Sequence, residues 1–275
     1  MGKPQLTHAA RPATFEVEAY NERGEMVPTA IAGEHPLTLY LDKREIVTLM
    51  TLGHAPEALA IGYLRNQRLA DSIDDIAAVQ VDWETESVAI TTHSKRPLPS
   101  LDKKTVTTGC GQGTVFGDLM QEIDAIRLPS DVSLEDTKLF RLLDNVRRHE
   151  TIYKQAGAVH GCALATTAGE ILMFVEDVGR HNAVDAIAGF MWLEAIDGAD
   201  KVFYTTGRLT SEMVIKCAQM RIPFLVSRSG LTNMGHQIAS KVNMTMLGRA
   251  SGRHYLAFTG KERLVRSSPQ PTAVA

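Results

Sequence analysis

Cys110 stands in the stretch TVTTGCGQGTVFGD, residues 105–118, flanked by Gly109 and Gly111, with Gly113 and Gly117 close behind. Glycine frees the backbone and removes the side chains that would pack around a thiol. Such a cysteine is either a small filler in a tight loop or a reactive group. As thiolate, sulfur is the nucleophile that attacks a persulfide and takes its outer sulfur. A glycine-rich loop would let one thiol meet a donor and an acceptor in turn. Cys162 and Cys217 differ: both sit in apolar patterns, where a buried, inert thiol is expected.

A second set of chemistry-bearing residues is arginine beside glycine and serine. Arg180 and His181 follow EILMFVEDVG; Gly207 and Arg208 follow KVFYTT; Arg228, Ser229 and Gly230 follow IPFLVS; Arg249 and Arg253 follow NMTML. Each preceding run reads as a strand. In an open α/β sheet, ligands bind beyond the carboxyl ends of the strands, where helix N-termini favour anions. Arginine adds bidentate recognition of phosphate. The pattern suits a polyphosphate or nucleotide-like ligand; taken singly, each arginine also reads as a solvated surface residue. His181, at a helix start, reads as a ligand contact or as part of the helix cap. A metal set of His160, Cys162, Glu176, Asp177 and His181 lacks any C-x-x-C or H-x-x-x-H spacing, so no metal site is expected. GCGQG resembles a phosphate-binding glycine loop but has neither a preceding strand nor a lysine.

The elements that position these residues fall into two parts. Residues 15–104 read as a smaller mixed α/β unit: LTLYL and EIVTLMTL as strands joined by DKR, APEALAIGYLRNQRL as a helix with Pro56 in its first turn, and IAAVQVDW with SVAITT as a hairpin. Residues 105–125 read as a flexible cysteine loop. Residues 126–262 read as a layered α/β unit. It opens with a helix capped by Ser133 that buries Leu139, Leu142, Leu143 and Val146. Apolar strands then alternate with helices, predicting a sheet with helices on both faces. Residues 1–14 and 263–275 read as disordered tails.

Bulk composition excludes several classes. A net charge of −3 gives no general attraction to nucleic acid or anionic membrane. Three cysteines do not make a disulfide scaffold and fit a reducing cytoplasm. No apolar run approaches the roughly 18 residues of a membrane span, and the first residues show no secretory signal.

The segments EDVGRHNAVDAIAG (176–189), TGRLTSEMVIKCAQMRIPFLVSRSGLT (206–232) and LGRASGRHYLAFTG (247–260) resemble the FdhD family, accessory proteins of molybdenum- or tungsten-containing formate dehydrogenases. The resemblance extends from about residue 30 to 260, and TTGCGQG falls where the family carries its cysteine loop. It implies a cytidine-deaminase-like layered sheet beside a smaller N-terminal mixed domain, in a homodimer. It also implies a sulfur carrier. Cys110 would accept sulfur from a cysteine desulfurase as a persulfide and pass it to the molybdenum bis-guanine-dinucleotide cofactor before insertion into formate dehydrogenase. The cofactor is cargo, and guanine nucleotides are expected to bind in its place. Gly248, Arg249, Ala250, Ser251, Gly252 and Arg253 match the family's cofactor-binding stretch; Arg180, His181, Gly207, Arg208, Arg228 and Ser229 join them from the strand exits. The deaminase zinc signature is missing, so deamination is not expected. One position departs from the family: many members have C-x-x-C, whereas here Gly113 stands at the second cysteine. That leaves two readings, sulfur transfer through Cys110 alone, or a cofactor-binding chaperone with weak or no transfer.

Overall fold

A computed structural model describes residues 3–94, 123 and 125–267. The Cys110 loop expected over 105–125 therefore lies almost wholly outside the described residues. The N-terminal part contains β1 (Gln5–Leu6), β2 (Thr14–Tyr20), β3 (Met26–Ala32), β4 (His35–Leu41), β5 (Arg44–Thr51), α1 (Pro56–Asn66), β6 (Ile76–Asp82) and β7 (Ser87–Thr92). The C-terminal part contains β8 (Leu134–Glu135), α2 (Asp136–His149), α3 (Ile152–Ala156), β9 (His160–Thr166), β10 (Ile171–Asp177) and α4 (Arg180–Leu193). It continues with β11 (Lys201–Thr205), α5 (Ser211–Gln219), β12 (Phe224–Ser227), α6 (Asn233–Lys241), β13 (Thr245–Ser251), β14 (His254–Thr259) and β15 (Leu264–Val265).

The N-terminal sheet has the order β1-β6-β7-β4-β5. Its burial follows the strand period of two: Leu37, Leu39 and Leu41 of β4 are fully buried and share one cluster with Leu59, Ile61 and Leu64 of α1. Asp42 and Lys43 close the β4–β5 hairpin with positive φ at both positions, the handedness that matches strand twist. β2 and β3 form a separate two-stranded ribbon.

The C-terminal sheet has the order β10-β9-β11-β12-β13-β14. β11, β12 and β13 run parallel; β9, β10 and β14 are antiparallel to their neighbours. Alternate residues face opposite layers, as a doubly covered sheet requires. Ala163, Tyr204, Val226 and Leu247 meet Leu139, Leu142 and Val146 of α2. Cys162, Phe203, Leu225 and Met246 join the cluster that includes Val184 of α4, Met213 of α5 and Ile238 of α6. The two parts join through α1 and α4, which cross with their backbones in contact. A Cβ at Gly62 would strike the Asp185 carbonyl, and one at Gly189 the Ala58 carbonyl. Beside this crossing, Lys216 Nζ is 2.8 Å from Asp185 Oδ2, and the Asn66 amide donates to Asp185 Oδ1 at 2.7 Å.

Three expectations are corrected. Residues 3–14 are not a free tail: Gln5–Leu6 add a strand to β6, Ala9 N–H donates to Glu57 and Arg11 N–H to the Gly53 carbonyl. The sheet edge at β6 has donors and acceptors that this segment satisfies. The expected tail from residue 263 is also held at its start, where Leu264–Val265 pair with β8 and Ser267 donates to Asp136. That pairing keeps Leu134–Glu135 extended, so α2 begins at Asp136 with Glu135 at its cap, not Ser133.

Candidate functional site

Topology brings the arginine-bearing exits to one edge. β11 and β12 are parallel and end there; β13, parallel to β12 as far as Leu247, carries Gly248 and Arg249 past the edge and runs on to Ser251 instead of stopping before Arg249; β10 also ends there, with Asp177 opposite His160, where antiparallel β9 begins. Hydrogen bonds stitch the exits together. Thr206 N–H donates to the Gly161 carbonyl at 2.9 Å, and Thr206 Oγ1 lies 3.2 Å from His160 Nδ1. The Ser227 hydroxyl donates to the Gly207 carbonyl at 2.6 Å and accepts from Ser229 N–H at 2.9 Å. Arg249 N–H donates to the Ser229 carbonyl at 2.9 Å.

Arg180 is buried and lies across the β11 exit: a Cβ on Gly207 would come within 2.6 Å of Arg180 Cδ. Glycine at 207 is therefore what lets Arg180 cross there. Arg208, Arg228 and Arg249 are exposed. Arg249 has φ of +51°, a left-handed conformation unusual for a residue with a side chain. Arg228 is shared with the α3 side, 3.1 Å from Glu150 and stacked over Tyr153 at 5.1 Å. The field of this edge is felt at half-buried His160, whose pKa is lowered first by burial and then by Arg180, Arg228 and Arg208. A neutral imidazole thus sits among guanidinium groups at the mouth of the sheet. Anions are what such an edge attracts.

The segment 248–253 divides. Gly248 and Arg249 belong to the edge. Ala250 is buried in the cluster beneath α2, and Ser251 and Gly252 turn the β13–β14 hairpin, with Gly252 at φ of +57°. Arg253 reaches over α2, stacked on Phe140 at 5.2 Å and 3.6 Å from Asp144. A cleft of about 500 Å³ lies in that direction, lined by Asp144, Arg147, Arg148, Glu150, Tyr153 and Lys154.

A family model described as FdhD/NarQ matches residues 32–265. The chain belongs to the FdhD/NarQ family. It is 28% identical over 254 residues to the sulfur carrier protein FdhD of Listeria monocytogenes, covering 91% of this chain and 95% of the relative. It is 30% identical over 238 residues to the Wolinella succinogenes sulfur carrier protein FdhD, covering 84% and 81%. A solved structure of a formate dehydrogenase accessory protein from Desulfotalea psychrophila shares the fold, with a TM-score of 0.75 at 24% identity, covering 92% of this chain and 100% of that one.

Glu176, Asp177 and His181 each engage partners of their own. Glu176 caps α3, accepting from the N–H groups of Thr151, Ile152 and Tyr153. Asp177 is engaged with the N-terminal sheet. His181 is 3% exposed and lies beneath the edge, its Nε2 3.3 Å from Glu212. Burial, with the charges of Lys216 and Arg180, holds its pKa far below the imidazole range. It supports the edge from below, whereas His160, outside the arginine set, stands in the edge itself. Among the described residues no helix is long and apolar enough to cross a membrane.

Cys162 and Cys217 are both fully buried. Burial pushes the Cys162 thiol up to about 12 and the Cys217 thiol well above its ordinary value. Neither is a thiolate at neutral pH, so neither is a ready nucleophile. The remaining cysteine is Cys110, in the glycine-rich stretch outside the described residues.

Proposed function

We propose that this protein is a sulfur carrier that matures formate dehydrogenase. The Cys110 thiolate attacks the outer sulfur of a persulfide on a cysteine desulfurase. A new S–S bond forms, the donor's S–S bond breaks, and the donor leaves as thiolate. The cargo held for sulfuration is the molybdenum bis-guanine-dinucleotide cofactor, with its pyrophosphates along the edge of Arg180, Arg208, Arg228 and Arg249. Delivery of the outer sulfur as sulfide needs two electrons, from the reduced metal or an external thiol, and returns Cys110 as thiolate. A homodimer in the cytoplasm, docking on the catalytic subunit of formate dehydrogenase, completes the reading.

The observation that carries this reading is the gathering of Arg180, Arg208, Arg228 and Arg249 at one sheet edge, in a chain whose Cys162 and Cys217 are fully buried. One feature favours a second reading, a cofactor chaperone with little transfer: Gly113 stands where a second loop thiol would resolve the persulfide. A strain lacking its own FdhD protein separates the two. Under the sulfur-carrier reading Cys110→Ala restores no formate dehydrogenase activity, and Arg208→Ala with Arg249→Ala restores little. If Cys110→Ala restores activity while the arginine variants do not, the chaperone reading replaces it.

A further inference from the structure

Asp177 is the last residue of β10 and is 5% exposed. Its two carboxylate oxygens face different parts of the molecule. Oδ2 accepts from the Thr51 hydroxyl at 2.5 Å and the Leu52 N–H at 3.2 Å, at the end of β5. Oδ1 accepts from the Gly179 N–H at 3.1 Å and the Asn182 amide at 2.9 Å, in the turn that opens α4. The Asn182 amide also donates to the Met50 carbonyl at 2.6 Å. Arg180 lies inside that turn and leads directly to its packing on Gly207.

A helix cap alone does not require this arrangement. A buried carboxylate costs stability unless its charge is met by several donors. Here the donors come from both parts of the chain, so the turn before α4 reaches its full set of hydrogen bonds only when β5 is seated. The α1–α4 glycine crossing joins the two parts further along α4, at Asp185 and Gly189.

We propose that Asp177 is a positioning residue that couples the seating of the N-terminal sheet to the geometry of the anion-binding edge. Affinity for a nucleoside polyphosphate at the edge then depends on the Thr51–Asp177 hydrogen bond, although Thr51 itself is buried, 2% exposed. Reciprocally, a bound anion steadies β5, because linkage acts equally in both directions. The inference rests on the reading of the edge as a phosphate site.

The test uses the full chain and guanosine diphosphate as probe, with titration calorimetry at a temperature where every variant is folded. Thr51→Val removes the donor and keeps the shape; it should weaken binding about five- to tenfold. Asp177→Asn retains an oxygen for only one of the two sides and should weaken it at least as much. Thr51→Ser, which keeps the hydroxyl, should bind within about twofold of the natural chain. Val79→Ala, a core change in β6, three strands from β5, should lower the melting temperature without changing affinity. Normal affinity in Thr51→Val and Asp177→Asn, with lowered melting temperature, would make the contact structural only and overturn the coupling. Equal weakening in Val79→Ala would do the same. If the natural chain binds no guanosine diphosphate, the phosphate reading falls and the coupling with it. Hydrogen exchange on the natural chain supplies a check that needs no variant: the nucleotide should slow exchange at residues 49–52, and unchanged exchange in a complex that does form would refute the coupling.

Discussion

Replacing Lys216 with methionine tests the packing beneath the edge. Lys216 is 2% exposed and Asp185 0%, and they are 2.8 Å apart. Methionine fills the volume but leaves the Asp185 carboxylate buried with the Asn66 amide as its remaining side-chain partner. Breaking a buried pair by removing one member costs about 3–5 kcal/mol. For a chain of this size that is a fall in melting temperature of about 6–20 °C. The cost should also depend on pH, with a sign fixed by the carboxyl. Burial raises the folded pKa of Asp185, and Lys216 opposes that rise. Without Lys216 the folded pKa goes higher still, so above the unfolded value of about 3.9 the folded variant binds more protons than the unfolded chain. Stability of the variant relative to the natural protein should therefore fall as pH rises. The assay is thermal unfolding by circular dichroism of both proteins at pH 5.5 and pH 8. The double change Lys216→Met with Asp185→Leu should recover most of the loss, because it removes both charges. A loss below about 1 kcal/mol, or one equal at the two pH values, would refute the argument.

Three further outcomes follow from the same structure. In the folded protein a thiol reagent should label one cysteine per chain, and Cys110→Ala should abolish labelling; rapid labelling at Cys162 or Cys217 would contradict their raised pKa values. Gly189→Ala should destabilise by about 1–3 kcal/mol despite alanine's better helix propensity, because the added methyl meets the Ala58 backbone; a higher melting temperature would show that the helices can separate freely. His160 has a lowered folded pKa, so its contribution to stability is present above the ordinary imidazole value of about 6.5 and is lost as pH falls below it. The drop in melting temperature between pH 7.5 and pH 5.5 should thus be smaller in His160→Asn, and an unchanged or larger drop would count against the cationic edge.

Runs such as KVFYT and FLVS are apolar on both faces and bounded by turn residues, so they read as covered strands, and they are. The arginines at their exits were visible for the same reason. What could not be read depends on pairing over long separations. His160 stands in the edge only because β9 runs antiparallel to β11, a register that no local pattern encodes. Arg180 and His181 are adjacent at a helix start, yet one packs over Gly207 and the other turns to Glu212; only the packed helices distinguish them. The Asp177 contact spans 126 residues to Thr51. β1, β8 and β15 are two residues long, too short for any periodicity, and exist because a distant strand needs a partner. The β2–β3 ribbon alternates but buries little, leaving Phe15 and Ile31 exposed, so its apolar signal was weak.

The most direct measurement of the sulfur-carrier account is the intact mass of the purified protein after incubation with a cysteine desulfurase and cysteine. The account predicts a gain of one sulfur atom, about 32 Da, removed by a thiol reductant and missing in Cys110→Ala. An unchanged mass, under conditions that load a relative with two loop cysteines, would contradict sulfur acceptance by Cys110, and an adduct that persists in Cys110→Ala would place the chemistry on another residue.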